Sequence, residues 1–237
     1  MRKILITNDD GIGADGLVRL ARTAKEFGEV WVVAPDSERS SMSHSVTLNS
    51  SFELWESSFP VPGVHAYACG GTPGDCVRIG VLNVVPGKPD FVFSGVNYGF
   101  NAASDLQYSA TVGAALEGAF QKIPSIAFSE DACENHEVTD RYLPEIIAEL
   151  TDRPVQEGRI WNVNFPGCGL ELCRGILRDR KVSAECYYED SYSQKRQPSG
   201  RYLCHVIGTR RNRAEEGTDL RALYDNFISI GSVMNLS

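Results

Sequence analysis

Two adjacent carboxylates, Asp9 and Asp10, stand directly after the apolar, β-branched run at residues 3–7 and directly before Gly11. Paired carboxylates suit a hard divalent cation, Mg²⁺ or Mn²⁺. Zinc fits less well, because the four histidines are scattered and none pairs at ligand spacing. Two more polar loops follow predicted strands: the serine-rich stretch 37–45, with Ser40 and His44, and the glycine- and asparagine-rich stretch 95–101, with Asn97 and Asn101. Asp9, Asp10, Ser40 and Asn97 offer two carboxylates, a hydroxyl and an amide carbonyl, an incomplete octahedron with room for water and a phosphate oxygen. Metal-assisted hydrolysis of a phosphate ester is the chemistry such a set supports. Ser109-Ala110-Thr111 then opens a helix of small residues, whose N-terminal amides and positive dipole end suit an anion.

The same first loop has a rival reading. Gly11, Gly13 and Gly16 spell G-x-G-x-x-G between a strand and a helix, and Asp36 follows 20 residues after Gly16, the pattern of a dinucleotide-binding oxidoreductase. A pyrophosphate in that loop would meet Asp9 and Asp10, at a cost of roughly 4 kcal/mol per like-charge contact near 4 Å for an effective dielectric of 20. A metal ion reverses that sign. A non-catalytic nucleotide sensor would keep the metal site without turnover, and a polar turn that only caps a helix would need neither.

The elements that must position these loops read as an α/β fold with a mostly parallel sheet. Strands are expected at 3–7, 29–35, 90–94, 123–129 and 159–165, with shorter candidates at 52–56 and 64–69. Helices are expected from Leu17 to Phe27 with Gly28 as C-cap, from Thr72-Pro73-Gly74-Asp75 onward, over 112–121 and over 141–150. Each polar loop follows a strand, and open α/β sheets bind ligands at those carboxyl ends. The right-handed crossover puts the 37–45 loop beside Asp9 and Asp10 if their strands are neighbours. The catalytic core is expected over 1–166. Residues 167–237 read as an arm, with hairpin strands at 185–192 and 201–207, a short helix opened by Gly217-Thr218-Asp219 and a last strand at 227–230. The hairpin carries Tyr187, Tyr188, Tyr192 and Tyr202 but too little apolar alternation for its own core, so packing on another subunit is expected.

At 237 residues the chain can bury one large core, while a net charge of −8 and a pI near 5.1 argue against a nucleic-acid duplex as partner. Seven cysteines without a C-x-x-C pair fit free thiols in a reducing cytoplasm. No run has transmembrane length, and the carboxylates end the first apolar run too early for an export signal.

Taken together, Ile6-Thr7-Asn8-Asp9-Asp10-Gly11, Ala34-Pro35-Asp36 with Arg39-Ser40, Gly71-Thr72-Pro73-Gly74-Asp75-Cys76, the 94–101 loop, Tyr108 to Ala115 and Glu216-Gly217-Thr218-Asp219 resemble, in order and spacing, the SurE family of 5′-nucleotidases. The resemblance implies a Rossmann-like three-layer core, one divalent metal held by Asp9, Asp10, Ser40 and Asn97, and hydrolysis of nucleoside monophosphates. It further implies homodimers or homotetramers joined by exchanged C-terminal arms, and in some members side activities on 3′-nucleotides or short polyphosphate. Asn97, Asn101, Ser109 and Thr111 are the expected phosphate contacts, Asp9 and Asp10 the catalytic carboxylates, and His44 a candidate proton donor. Ser41, Ala103 and Ala110 stand where the family usually has glycine, which is tolerable only if φ is negative there.

Overall fold

The computed structural model describes residues 1–153 and 155–234. Ile4, Leu5 and Ile6 in β1 (Lys3–Thr7) are fully buried, and the run is continuous rather than alternating because helices cover both of its faces. Chain order continues with α1 (Asp15–Ala24), β2 (Glu29–Pro35), β3 (Leu54–Glu56), β4 (His65–Cys69), α2 (Pro73–Ile79), β5 (Phe91–Tyr98), α3 (Ala110–Phe120), β6 (Ser125–Glu130), α4 (Glu137–Asp152) and β7 (Arg159–Phe165). Beyond these lie β8 (Ile176–Leu177), β9 (Tyr188–Arg196), β10 (Tyr202–Arg210), α5 (Asp219–Tyr224) and β11 (Ile228–Met234).

The main sheet runs β3-β4-β2-β1-β5-β6-β7-β11-β8, parallel from β4 through β7. The chain moves outward from β1 through β2 to β4, then returns to the other side of β1 as β5. This doubly wound order has its switch point between β1 and β5, where such sheets open a crevice at their carboxyl ends. One face packs Ile4, Ile6, Val32 and Phe93 against Leu17 and Leu20 of α1 and Ile146 and Ile147 of α4. The other packs Leu5, Val33 and Val92 against Val77 of α2 and Ala114 of α3.

Several boundaries differ from the sequence reading. Helix α1 ends at Ala24, so Gly28 is not its cap. Strand β5 continues through the expected loop to Tyr98. The α2 start has its capping box between Thr72 and Asp75 as expected, while the π-helical turn Gly80–Val84 was not foreseen. Helix α4 begins at Glu137, a full turn early, and runs through Pro144. The hairpin strands start three residues and one residue later than expected, at Tyr188 and Tyr202, and every residue of β9 and β10 is exposed. The main sheet also takes two strands from beyond Pro166: β11 pairs antiparallel with β7 and parallel with β8. Among the described residues, all seven cysteines are free, and no helix is long and apolar enough to cross a membrane.

Candidate active site

The switch point carries the carboxylates. Asp9 follows β1, is only 4% exposed, and lines a cleft of about 260 Å³ together with Ser40, Ser41, Asn97, Tyr98, Asn101, Asp105, Tyr108, Ser109, Tyr188 and Asp190. No lysine or arginine is among these lining residues, and neither Asp9 nor Asp10 forms a salt bridge among the described residues. Burial, with a further push from Asp10, raises the Asp9 pKa to about 7 against the lowering effect of its Thr111 hydrogen bonds. Burial thus favours the neutral form of this carboxyl, and a neighbouring cation would favour the charged one.

Two glycines bring the surrounding elements close enough. At Gly16 a Cβ would come within 2.0 Å of the Val96 carbonyl oxygen, so α1 can lie against the end of β5 only with glycine there. At Gly113 it would come within 2.3 Å of the Ser43 oxygen, so the 37–45 loop rests directly on the first turn of α3. That loop also ties to β1 through the Arg39 amide, which donates to the Asp9 carbonyl at 2.7 Å. The parallel pairing of β1 with β2 puts the two loops side by side, as the crossover rule requires.

Asn97 is oriented by its own strand end. Its Nδ2 donates to the Gly99 carbonyl at 2.8 Å, which assigns the amide and leaves Oδ1 on the cleft side, 3.4 Å from the Thr111 hydroxyl. The same hydroxyl donates to Asp9 Oδ1. The Asp9 carboxylate and the Asn97 carbonyl therefore meet at one point, with the exposed Ser40 hydroxyl on the same cleft and itself donating to Glu38 at 2.8 Å. Neutral and anionic oxygens converging on a site without basic side chains fit a hard divalent ion. Among the described residues no group of three or more His, Cys, Asp or Glu has metal-binding geometry, so any such ion here depends on these mixed oxygen donors.

Other expected residues fall elsewhere. Asp10 accepts from the Tyr98 amide at 3.3 Å and lines the adjoining depression with Arg19, Glu130 and His136. Burial, then Glu38 and Glu130, raise its pKa against the lowering pull of the Tyr98 amide. His44 does not line this cleft: its Nε2 lies 2.8 Å from Glu117 Oε2, in the middle of α3. Ser109 uses its hydroxyl to cap α3, accepting from the Val112 amide at 3.1 Å, and Thr111 spends its hydroxyl on Asp9. The Ser109 hydroxyl accepts there and keeps its own proton free on the cleft lining, whereas the Thr111 proton is committed to Asp9.

Asn101 lines the cleft but is locked by a network the sequence reading missed. Its amide donates to Asn164 Oδ1 at 2.9 Å, its side chain to Ser129 Oγ at 2.8 Å, and its carbonyl accepts from Asn162 and Asn164. The signal was present in two asparagines at alternating positions of a buried strand. The expectation of negative φ at the substituted glycines also fails at two positions: Ser41 has φ 60° and Ala103 φ 56°, both left-handed, and only Ala110, the first residue of α3, is helical.

A sequence model described as survival protein SurE matches residues 4–185. The chain belongs to the SurE family. A SurE named as a 5′-nucleotidase from Flavobacterium psychrophilum is 37% identical over 231 residues, covering 96% of this chain and 89% of that protein. The protein named 5′-nucleotidase SurE 1 from Thermus thermophilus is 38% identical over 237 residues, covering 98% and 91%. The crystal structure of the SurE protein from Aquifex aeolicus superposes with a TM-score of 0.83 at 31% identity, over 99% of this chain and 94% of that one. Membership of the SurE family sets aside the oxidoreductase reading of Gly11, Gly13 and Gly16, and the α/β architecture is the one the SurE neighbour shares.

Proposed function

We propose that this chain is a divalent-metal-dependent phosphomonoesterase that cleaves nucleoside 5′-monophosphates to nucleoside and phosphate. One observation carries the reading: the cleft at the switch point gathers the buried Asp9 carboxylate, the Asn97 carbonyl and the Ser40 hydroxyl with no basic side chain among its lining. A dianionic phosphate needs positive charge, which these donors can supply only through a bound cation, and relatives named 5′-nucleotidases support nucleotides as the esters. Asp9, Asp10, Asn97 and Ser40 would hold Mg²⁺ or Mn²⁺, and such an ion would neutralise phosphate and acidify water.

The protein's own groups do the rest. Thr111 fixes one Asp9 oxygen by its hydrogen bond, leaving the other to orient an attacking water and take up its proton as the hydroxyl adds to phosphorus. The start of α3 at Ala110, with the dipole end behind it, stabilises charge on the phosphate oxygens, and the leaving nucleoside oxygen departs opposite the water. With His44 bound to Glu117, solvent protonates that oxygen. The exposed hairpin supports a homodimer or homotetramer, and seven free thiols suit a reducing cytoplasm. The test is phosphate release from adenosine 5′-monophosphate with Mg²⁺ or Mn²⁺: release that stops on adding chelator and returns on restoring metal is expected, and undiminished release in excess chelator refutes the metal.

A further inference from the structure

The cleft has an outer wall that the metal and phosphate chemistry does not use. Tyr188 and Asp190 line it from the first residues of β9. Two residues apart on one strand, they share a face of the hairpin. Opposite Asp190 in register stands Gly208, where a Cβ would lie 3.3 Å from the Tyr188 ring and 3.4 Å from Asp190 Oδ1. Both side chains thus lean over a bare position.

The base of the hairpin is held firmly although its arm is exposed. Asp105 accepts from the Tyr187 and Tyr188 amides at 3.1 and 3.0 Å, and the Ser104 amide donates to the Glu185 carbonyl at 3.1 Å. The buried Tyr187 ring packs edge-on against Tyr188 at 4.7 Å and against Phe100 at 5.8 Å. Two more tyrosines border the same cleft, Tyr98 and Tyr108, and the three rings are 51%, 65% and 46% exposed for Tyr98, Tyr108 and Tyr188. Half-exposed aromatic rings at the mouth of a polar cleft offer π-faces to a planar group.

We propose that this wall recognises the nucleoside half of the substrate, with Tyr188 stacking on the base and Asp190 accepting a hydrogen bond from a ribose hydroxyl. The inference rests on the nucleotidase reading above. It also sets what the enzyme refuses: beyond the scissile phosphate the cleft presents Asp105 and Asp190 and no basic residue, so a second or third phosphate meets like charge while a neutral nucleoside does not. Nucleoside monophosphates are favoured over polyphosphate chains.

The experiment compares kcat/KM of the full-length protein with Mn²⁺ on adenosine 5′-monophosphate, glycerol phosphate and tripolyphosphate. The wild type is expected to prefer the nucleotide, with tripolyphosphate poorest. Tyr188→Ala should lower kcat/KM for the nucleotide about tenfold, through KM, as loss of one stacking ring predicts, and leave glycerol phosphate unchanged. Tyr188→Phe should restore it, and the unchanged turnover of glycerol phosphate in Tyr188→Ala excludes loss of folding at the hairpin base. Asp190→Asn should weaken the nucleotide less and improve tripolyphosphate. Equal losses on both esters in Tyr188→Ala, or no loss on the nucleotide, overturn the proposal while leaving the nucleotidase reading intact. A wild type that releases no phosphate from the nucleotide overturns both.

Discussion

The switch-point cleft and the β9–β10 hairpin answer opposite demands with the same chain. In the cleft, Asp9 is buried, Asn97 is fixed by Gly99, and Asn101 is held through its amide, its carbonyl and its Nδ2. In the hairpin, Tyr192, Tyr202, Leu203, Val206 and Ile207 are all at least 48% exposed, and among the described residues the two strands pair only with each other. An isolated two-stranded ribbon is marginal in water, so the hairpin is ordered by its anchored base and, we propose, by a second subunit. Chemistry needs groups held before substrate arrives; association needs apolar surface left open. The two meet at Asp105 and Tyr188.

The sharpest way to break this contrast is at Asp9. Asp9→Asn keeps size and turn-forming capacity, so the protein should fold with an unchanged thermal midpoint or a higher one, while turnover falls roughly 10²-fold or more, as for comparable electrostatic groups. A folded variant with near-native turnover at saturating Mn²⁺ would remove Asp9 from the chemistry. Asn97→Ala should lose less, roughly tenfold, because it removes a neutral donor, and the loss should shrink as Mn²⁺ is raised.

The burial of Asp9 also fixes a pH dependence. Its folded pKa, about 7, is above the ordinary 3.8, so the metal-free fold holds this proton more tightly than the unfolded chain. The stability from Asp9 is complete below about 4 and is lost as pH rises through 7. A cation that takes the charged form reverses the loss and competes with the proton. Mn²⁺ should therefore raise the melting temperature more at pH 8 than at pH 6, and equal shifts in differential scanning fluorimetry would contradict the assignment.

On the hairpin side, deleting residues 191–207 while keeping the anchored base should convert the oligomer to a smaller species in light scattering and leave the fold of the sheet intact. A full-length protein already monomeric at micromolar concentration would end the association argument. The smallest effect is expected at the cleft edge: Ser41, exposed with φ 60°, holds a conformation that glycine adopts freely. Ser41→Gly should stabilise by about 0.5–1 kcal/mol in urea unfolding, as relief of a left-handed residue predicts, offset in part by unfolded-chain entropy.

Much of this was legible in residue types and spacing. The Lys3–Thr7 strand, the Asp9-Asp10 turn and the Thr72 capping box follow from local rules, because β-branched runs, turn residues and capping side chains act on their own backbone within a few positions. The order of polar loops after strands was enough to bring Asp9, Ser40 and Asn97 to one crevice, since parallel crossovers are right-handed and ligand loops gather at the switch point. Distances across the chain were not local. That His44 turns to Glu117, that Thr111 gives its hydroxyl to Asp9, that Asp10 faces the neighbouring depression, that Ser41 and Ala103 are left-handed and that β11 enters beside β7 were decided by packing and register. A side chain's partner depends on which elements touch, and only the folded sheet sets that.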